Sequence, residues 1–283
     1  MPKGYGAGLQ TALIYLVNDE GYPTGQSVTL SNGSSSNAYY LPDVRTAQVS
    51  FADATVVDVT GGDKPRLASF NFGGRQLSQF DMVCPLIDPA LVALLSGSTV
   101  DTTSNQKFEL YSTNTNRDLP RIGGVILQQR FQEKEGGASK IRSLVIPRAE
   151  LTIKTGGFEF QAPSDVTITV NPLMATRSAN GIPFSSLGMG LEDNRVDHYE
   201  IISSKRLNLL VFRGNGTATS VTGAYRPTSA DTSNTNGSNW LAVNGVSTAL
   251  SSVNTSSAIF TFSAAPAAGA YAVILYETDF VTP

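Results

Sequence analysis

Short apolar runs, alternating or β-branched and separated by clusters of turn-forming residues, recur along this chain and commit it to strands. They occupy residues 11–17, 47–51, 55–59, 67–72, 124–131, 141–146 and 151–153. Alternating or β-branched stretches of this kind suit a sheet with at least one buried face. The intervening clusters Asn18-Asp19-Glu20-Gly21, Ser31-Asn32-Gly33-Ser34, Gly61-Gly62-Asp63 and Gly73-Gly74 are turn formers, in which glycine supplies positive φ. One segment reads as a helix. Asp88 is placed to cap free N–H groups, Pro89 follows where its missing N–H costs nothing, and the apolar stretch ends at Ser96 before Gly97.

The clearest hairpin joins residues 125–131 to 141–146 through the charged, glycine-bearing loop 132–140. Continuing through 147–153, the chain is expected to reverse at Gly156-Gly157 into Phe158-Glu159-Phe160, and residues 166–170 add another alternating strand. Together these predict one extended antiparallel sheet. Beyond about Tyr199 charges become sparse, and residues 258–262 and 271–276 read as a strand pair joined through 263–269. The expected fold is all-β, a mainly antiparallel sandwich or barrel with one short helix. Residues 1–200 are expected to form the principal domain, and 201–283 a small C-terminal β module or sheet extension.

The 283 residues suffice for one large or two smaller cores. Lys and Arg total 20 against 23 Asp and Glu, a net charge of -3, which argues against nucleic-acid binding through a basic surface. A single cysteine, Cys84, and a single histidine, His198, exclude an intrachain disulfide and leave too few soft ligands for zinc or haem; no cofactor is expected. His198 lacks a nucleophile-elbow motif elsewhere in the chain and reads as a polar turn or interface residue. Cys84, between Val83 and Pro85, reads as a small buried residue, and Gly4-x-Gly6-x-Gly8 precedes a strand, so it lacks the context of a phosphate-binding loop. Solvated loop acids are the better reading of the scattered carboxylates, and neither Asp53-Ala54-Thr55 nor residues 193–197 completes a calcium loop. No enzyme is expected. The start Met1-Pro2-Lys3-Gly4 has no secretory core and no apolar run could span a membrane, so synthesis in a cytoplasm is expected and the Asn-x-Ser/Thr matches at Asn32, Asn215, Asn236 and Asn254 read as turns.

The order of these features resembles the tail tube, or major tail, proteins of long-tailed bacteriophages. The resemblance spans residues 6–199. It rests on a short N-terminal arm, the strand Arg66-Leu67-Ala68-Ser69-Phe70-Asn71-Phe72, the helix ending at Gly97, Gly123-Gly124-Val125-Ile126-Leu127, the long hairpin, Ile146-Pro147-Arg148-Ala149-Glu150-Leu151 and Gly157-Phe158-Glu159-Phe160. It implies hexameric rings whose subunits contribute long antiparallel strands to a barrel around a lumen. Rings stack into a tube through which DNA passes without sequence-specific binding, and other tail proteins cap the ends. The location implied is the virion tail.

The resemblance further implies lumen strands at 124–131 and 141–151, with Gln128, Arg130, Arg142, Arg148 and Glu150 as candidate lumen residues. Candidate contacts between rings or subunits are Tyr5, Asn32, Tyr39, Tyr40, Asp43, Glu133, Lys134, Glu135 and Lys140. The C-terminal residues 243–245 and 260–277 resemble the small β modules that decorate virion proteins. Two other classes stay open. One is another virion component such as a capsid decoration, spike or fibre base. The other is a glycan-binding module using Tyr39-Tyr40 or Trp240.

Overall fold

A computed structural model describes residues 5–17, 28–29, 35–36, 38–42, 44–52, 55–61, 64–72, 76–85, 89–96, 99–101, 109–111, 121–132, 138–155, 165–173, 175–176, 195–196, 198–233, 239–244 and 246–279. The fold is all-β, mostly antiparallel, with one short helix. The principal sheet is built from β1 (Tyr5–Leu16), β2 (Tyr39–Leu41), β3 (Thr46–Ala47), β4 (Phe80–Cys84), β5 (Arg121–Gln132), β6 (Ser139–Thr155), β7 (Val166–Pro172) and β8 (Tyr199–Ser203). Its order is β2-β1-β5-β6-β7-β4-β3, and β8 also pairs with β6. The expected hairpin is present as β5 and β6, in register from Gln132 opposite Ser139 to Arg121 opposite Leu151. The stretch expected as one strand at 47–51 is divided. Thr46 and Ala47 pair with β4, Phe51 and Ala52 pair with Gln76 and Leu77, and the residues between cross from one partner to the other.

Side chains on successive residues of these strands leave the sheet on opposite faces, and both faces are apolar. Ala12, Ile14, Val125, Leu127, Leu144, Ile146, Leu151, Ile168, Val170 and Met82 point into a first core. Helix α1 (Pro89–Ser96) fills that core with Leu91 and Leu95. Leu13, Tyr15, Val17, Ile126 and Val145 point the other way, into a second core. Its far wall is a four-stranded sheet of β9 (Arg206–Arg213), β11 (Asn239–Val243), β12 (Val246–Thr248) and β15 (Tyr271–Thr278), in the order β9-β15-β11-β12. Leu207, Leu209, Val211, Trp240, Val273 and Leu275 complete the second core.

The four-stranded sheet is itself buried on both sides. Leu210, Leu241, Ala272, Ile274 and Tyr276 face a third core, closed by β10 (Ser220–Thr222), β13 (Leu250–Asn254) and β14 (Ile259–Phe262) in the order β10-β14-β13. Three packed sheets result, with the middle one dry on both faces. The strands expected as a hairpin, 258–262 and 271–276, belong instead to opposite sheets of this C-terminal sandwich. Phe260 and Phe262 meet Ala272, Ile274 and Tyr276 face to face across the core, so the connection has to cross between layers. It is held by Gly269 N–H donating to Gly214 O at 2.8 Å, with Gly269 at φ 83°.

Of the Asn-x-Ser/Thr matches, two lie in described turns. Asn215 Oδ1 accepts from the N–H groups of Thr217 and Ala218, and Asn254 Oδ1 accepts from Ser256 and Ser257. Asn32, Asn236 and the expected strand 158–160 lie outside the described residues.

Close packing is most demanding where β1 crosses β5. Gly123 and Gly124 lie opposite Leu16 and Tyr15, and a Cβ on Gly124 would fall inside the Tyr15 ring, which is fully buried. Across β6, Gly123 opposes Ala149 and Val125 opposes Ile146, so Pro147 and Arg148 together face Gly124 in a bulge. That is a position a proline tolerates, because a bulge has no ladder hydrogen bond to lose. Gly124→Ala is expected to lower unfolding free energy by about 3 kcal/mol in urea titration, and Tyr15→Leu in the same chain to recover part of it.

The two buried tyrosines differ in their hydroxyls. Tyr276 Oη accepts from Asn208 Nδ2 at 2.7 Å and donates to Tyr225 O at 3.2 Å. Tyr15 Oη has no hydrogen-bond partner among the described residues. Tyr276→Phe should therefore destabilise by about 1–2 kcal/mol, whereas Tyr15→Phe should leave the urea midpoint unchanged or raise it.

Candidate functional site

The principal sheet curls until β3, at one end of the strand order, comes to face β5 and β6 across the first core. Residues 44–52 cross the mouth of that core and leave a groove of about 480 Å³. Arg45, Val49 and Phe51 line one bank, Gln129, Arg142 and Glu200 the other, and Leu127 and Leu144 the floor. Besides its strand pairings, the strap is fastened where Arg45 N–H donates to Val83 O at 2.9 Å, where Arg45 Nη1 pairs with Asp165 at 2.9 Å, and where the Phe51 ring lies 5.0 Å from that of His198.

On the opposite bank Arg142 grips Glu200 with both arms of its guanidinium, Nε to Oε2 at 3.0 Å and Nη2 to Oε1. The fork follows from register, since Arg142 on β6 lies opposite Ile202 and beside Glu200 on β8. The hydrogen bonds it donates to Glu200 hold the guanidinium above its ordinary pKa, against the opposing effect of partial burial. With the two side chains 43% and 34% exposed, solvent screening limits the pair to roughly 1 kcal/mol.

The candidate lumen residues separate by face. Arg142 lies on the groove side. Gln128 and Arg130, two residues apart on β5, lie on the opposite side, as do Arg148 and Glu150 after the bulge, with Glu150 opposite Ile122. Gln128 is 1% exposed and lies in the second core, where its Nε2 donates to Leu207 O at 2.6 Å. It is a joint between the principal sheet and the C-terminal sandwich, because an amide there satisfies a carbonyl on the edge of β9. Arg130 is exposed and donates to Ser139 Oγ, and Glu150 accepts from Asn171 Nδ2 at 2.9 Å. The middle of the expected lumen strands, 125–128 and 143–146, is buried from both sides. Their solvent-facing positions lie toward the two ends.

Among the candidate contact residues, Tyr5 pairs with Gln132 on β1, and Lys140 is half-buried opposite Phe131 at the hairpin end. Tyr39 is 4% exposed in the first core. Tyr40 is half-buried between the sheets, edge-on to Tyr225 at 6.3 Å, with Arg206 Nη1 donating to its Oη at 3.3 Å. Asn32, Asp43, Glu133, Lys134 and Glu135 lie outside the described residues. Trp240 is 7% exposed within the second core, so neither it nor Tyr39 offers a ring face to a sugar. Sequence reasoning did not single out Arg45, Glu200 or Ile202. Nothing in the spacing of Arg142 and Glu200, 58 residues apart, signals their pairing; register alone brings them together.

Among the described residues no group of three His, Cys, Asp or Glu side chains is placed to hold a metal ion, and no helix is long and apolar enough to cross a membrane. Fold and surface together define a layered all-β protein whose central strands are covered on both faces, while among the described residues the hairpin end of its principal sheet has no strand paired to either edge. No protein-family model matches the chain, and no curated protein matches its sequence.

Cys84 is fully buried on β4 against the first core. Burial, with a smaller effect from the Asp165 carboxylate, pushes its thiol from 9.0 up to about 11. A thiol whose folded pKa is raised contributes stability that is complete below the unfolded pKa and is lost as pH rises through the folded one. Melting temperature is therefore expected to fall between about pH 9 and pH 11, and Cys84→Ala to reduce that slope. Thiol reagents at pH 8 should label the native protein only at the rate of unfolding.

Proposed function

We propose that this chain is a structural virion subunit of the tail-tube kind, closing into rings that stack as a hollow tube for DNA passage. The observation that carries the reading is the unfinished state of the principal sheet at its hairpin end. There β1, β5, β6 and β8 run as four antiparallel strands. Neither outer edge, residues 5–11 of β1 or Tyr199–Ser203 of β8, meets another strand among the described residues.

Open edges of this length template pairing with another chain. Four is an even number, so the two outer strands run in opposite directions, and one copy's β8 can extend antiparallel onto the next copy's β1. Such head-to-tail contact uses two different surfaces and generates closed rings or filaments. The C-terminal sandwich occupies one face of the block, which leaves the face bearing Arg142 and Glu200 for a lumen. Their mutual neutralisation and the net charge of -3 suit a wall that lets phosphate slide.

Negative-stain electron microscopy and sedimentation across a concentration and salt series test this. Hollow rings or tubes of uniform width are expected. A monodisperse monomer, or a solid trimer that never stacks, would sink the reading and favour a decoration or spike component.

A further inference from the structure

We infer that the joint between neighbouring copies is a β-ladder with a fixed register, in which Ile202 of one copy stands opposite position 9 of the next. This rests on the edge-to-edge reading above and adds to it which residues meet. Among the described residues three large apolar side chains are exposed, and Ile202, at 46%, is the one on the open edge of β8. An apolar residue there favours pairing over protection. The charge on β8 itself, Glu200, is held within its own subunit by Arg142 and so does not guard the edge.

The rows of the four-stranded block select the partner. Leu9, Gln129, Arg142 and Ile202 form one row, and Thr11, Gln128, Ser143 and Ile201 the next. With no stagger at the joint the rows continue straight across and set Ile202 against position 9. In the stretch Tyr5-Gly6-Ala7-Gly8-Leu9-Gln10, Leu9 is the one aliphatic residue larger than alanine. Register shifts fall on both sides of it, between Ala7 and Leu9 and between Leu9 and Thr11. These shifts fix the register of β1 on β5, and so fix where position 9 stands on the outer edge of the block.

Directly opposed residues in an antiparallel pair have Cα atoms about 4.5–5.5 Å apart, within disulfide range. A chain carrying Leu9→Cys and Ile202→Cys, oxidised after assembly, is expected to run on non-reducing gels as a ladder of covalent multimers. Either single variant, or Ala7→Cys or Thr11→Cys combined with Ile202→Cys, should give little, and buried Cys84 should give none. Ile202→Lys should raise the concentration needed for rings by roughly tenfold without changing the melting temperature. If the wild-type chain forms rings but the strongest cross-link comes from the variant with cysteine at position 7 or 11, or from none of the three double variants, the register is overturned and the ring reading stands. A wild-type chain that stays monomeric at every concentration would remove both.

Discussion

Burial of both faces of β1, β5 and β6 is the constraint on which the rest of the molecule depends. A sheet with two apolar faces cannot exist in water until each is covered, and a buried leucine or isoleucine is worth about 1.5–3 kcal/mol. Helix α1 and the strap at residues 44–52 cover one face, and the C-terminal sandwich covers the other. The sandwich is thus part of the same folding problem as the sheet, and its own middle layer, dry on both sides, repeats the solution one level further out.

Polar groups in these dry layers divide into those that join layers and those that are simply enclosed. Gln128 links β5 to β9 through the Leu207 carbonyl, and Tyr276 links the last strand to the loop at Tyr225 through its hydroxyl. Across the rim of the second core, Lys205 with Asp279 and Ser203 with Glu277 tie the end of β8 to the end of β15. Because β8 belongs to the principal sheet and β15 to the sandwich, these contacts fix how the sandwich sits as the chain passes from one layer to the next.

Much of this was legible in the residues and some was not. The long hairpin, the helix and the buried Cys84 follow from periodicity, capping residues and burial preference. The run Thr11-Ala12-Leu13-Ile14-Tyr15-Leu16-Val17 is continuous in its apolarity, not alternating, which is how a strand covered on both sides reads. That same continuity hides which residues face which core. The hairpin expected at 258–276 failed because a turn-like connection and two apolar strands fit a crossover between sheets as well as a turn within one. Gln128 is expected among the lumen residues because sequence carries no sign of the Leu207 carbonyl above it, 79 residues away. Open edges are equally silent, because an unpaired strand is defined by what its neighbours do.

The bulge at Pro147 divides the long strand β6 into two halves with different neighbours. On the edge away from β5, its hairpin half carries β8, and with it the sandwich, while its distal half carries β7 and the strands beyond. Pro147 has no amide hydrogen and lies between the two ladders, so the far edge of β6 is unclasped there while Leu173 N–H to Arg148 O fastens the next position. One edge of β6 therefore serves two parts of the fold in turn, with the change of partner falling at the proline.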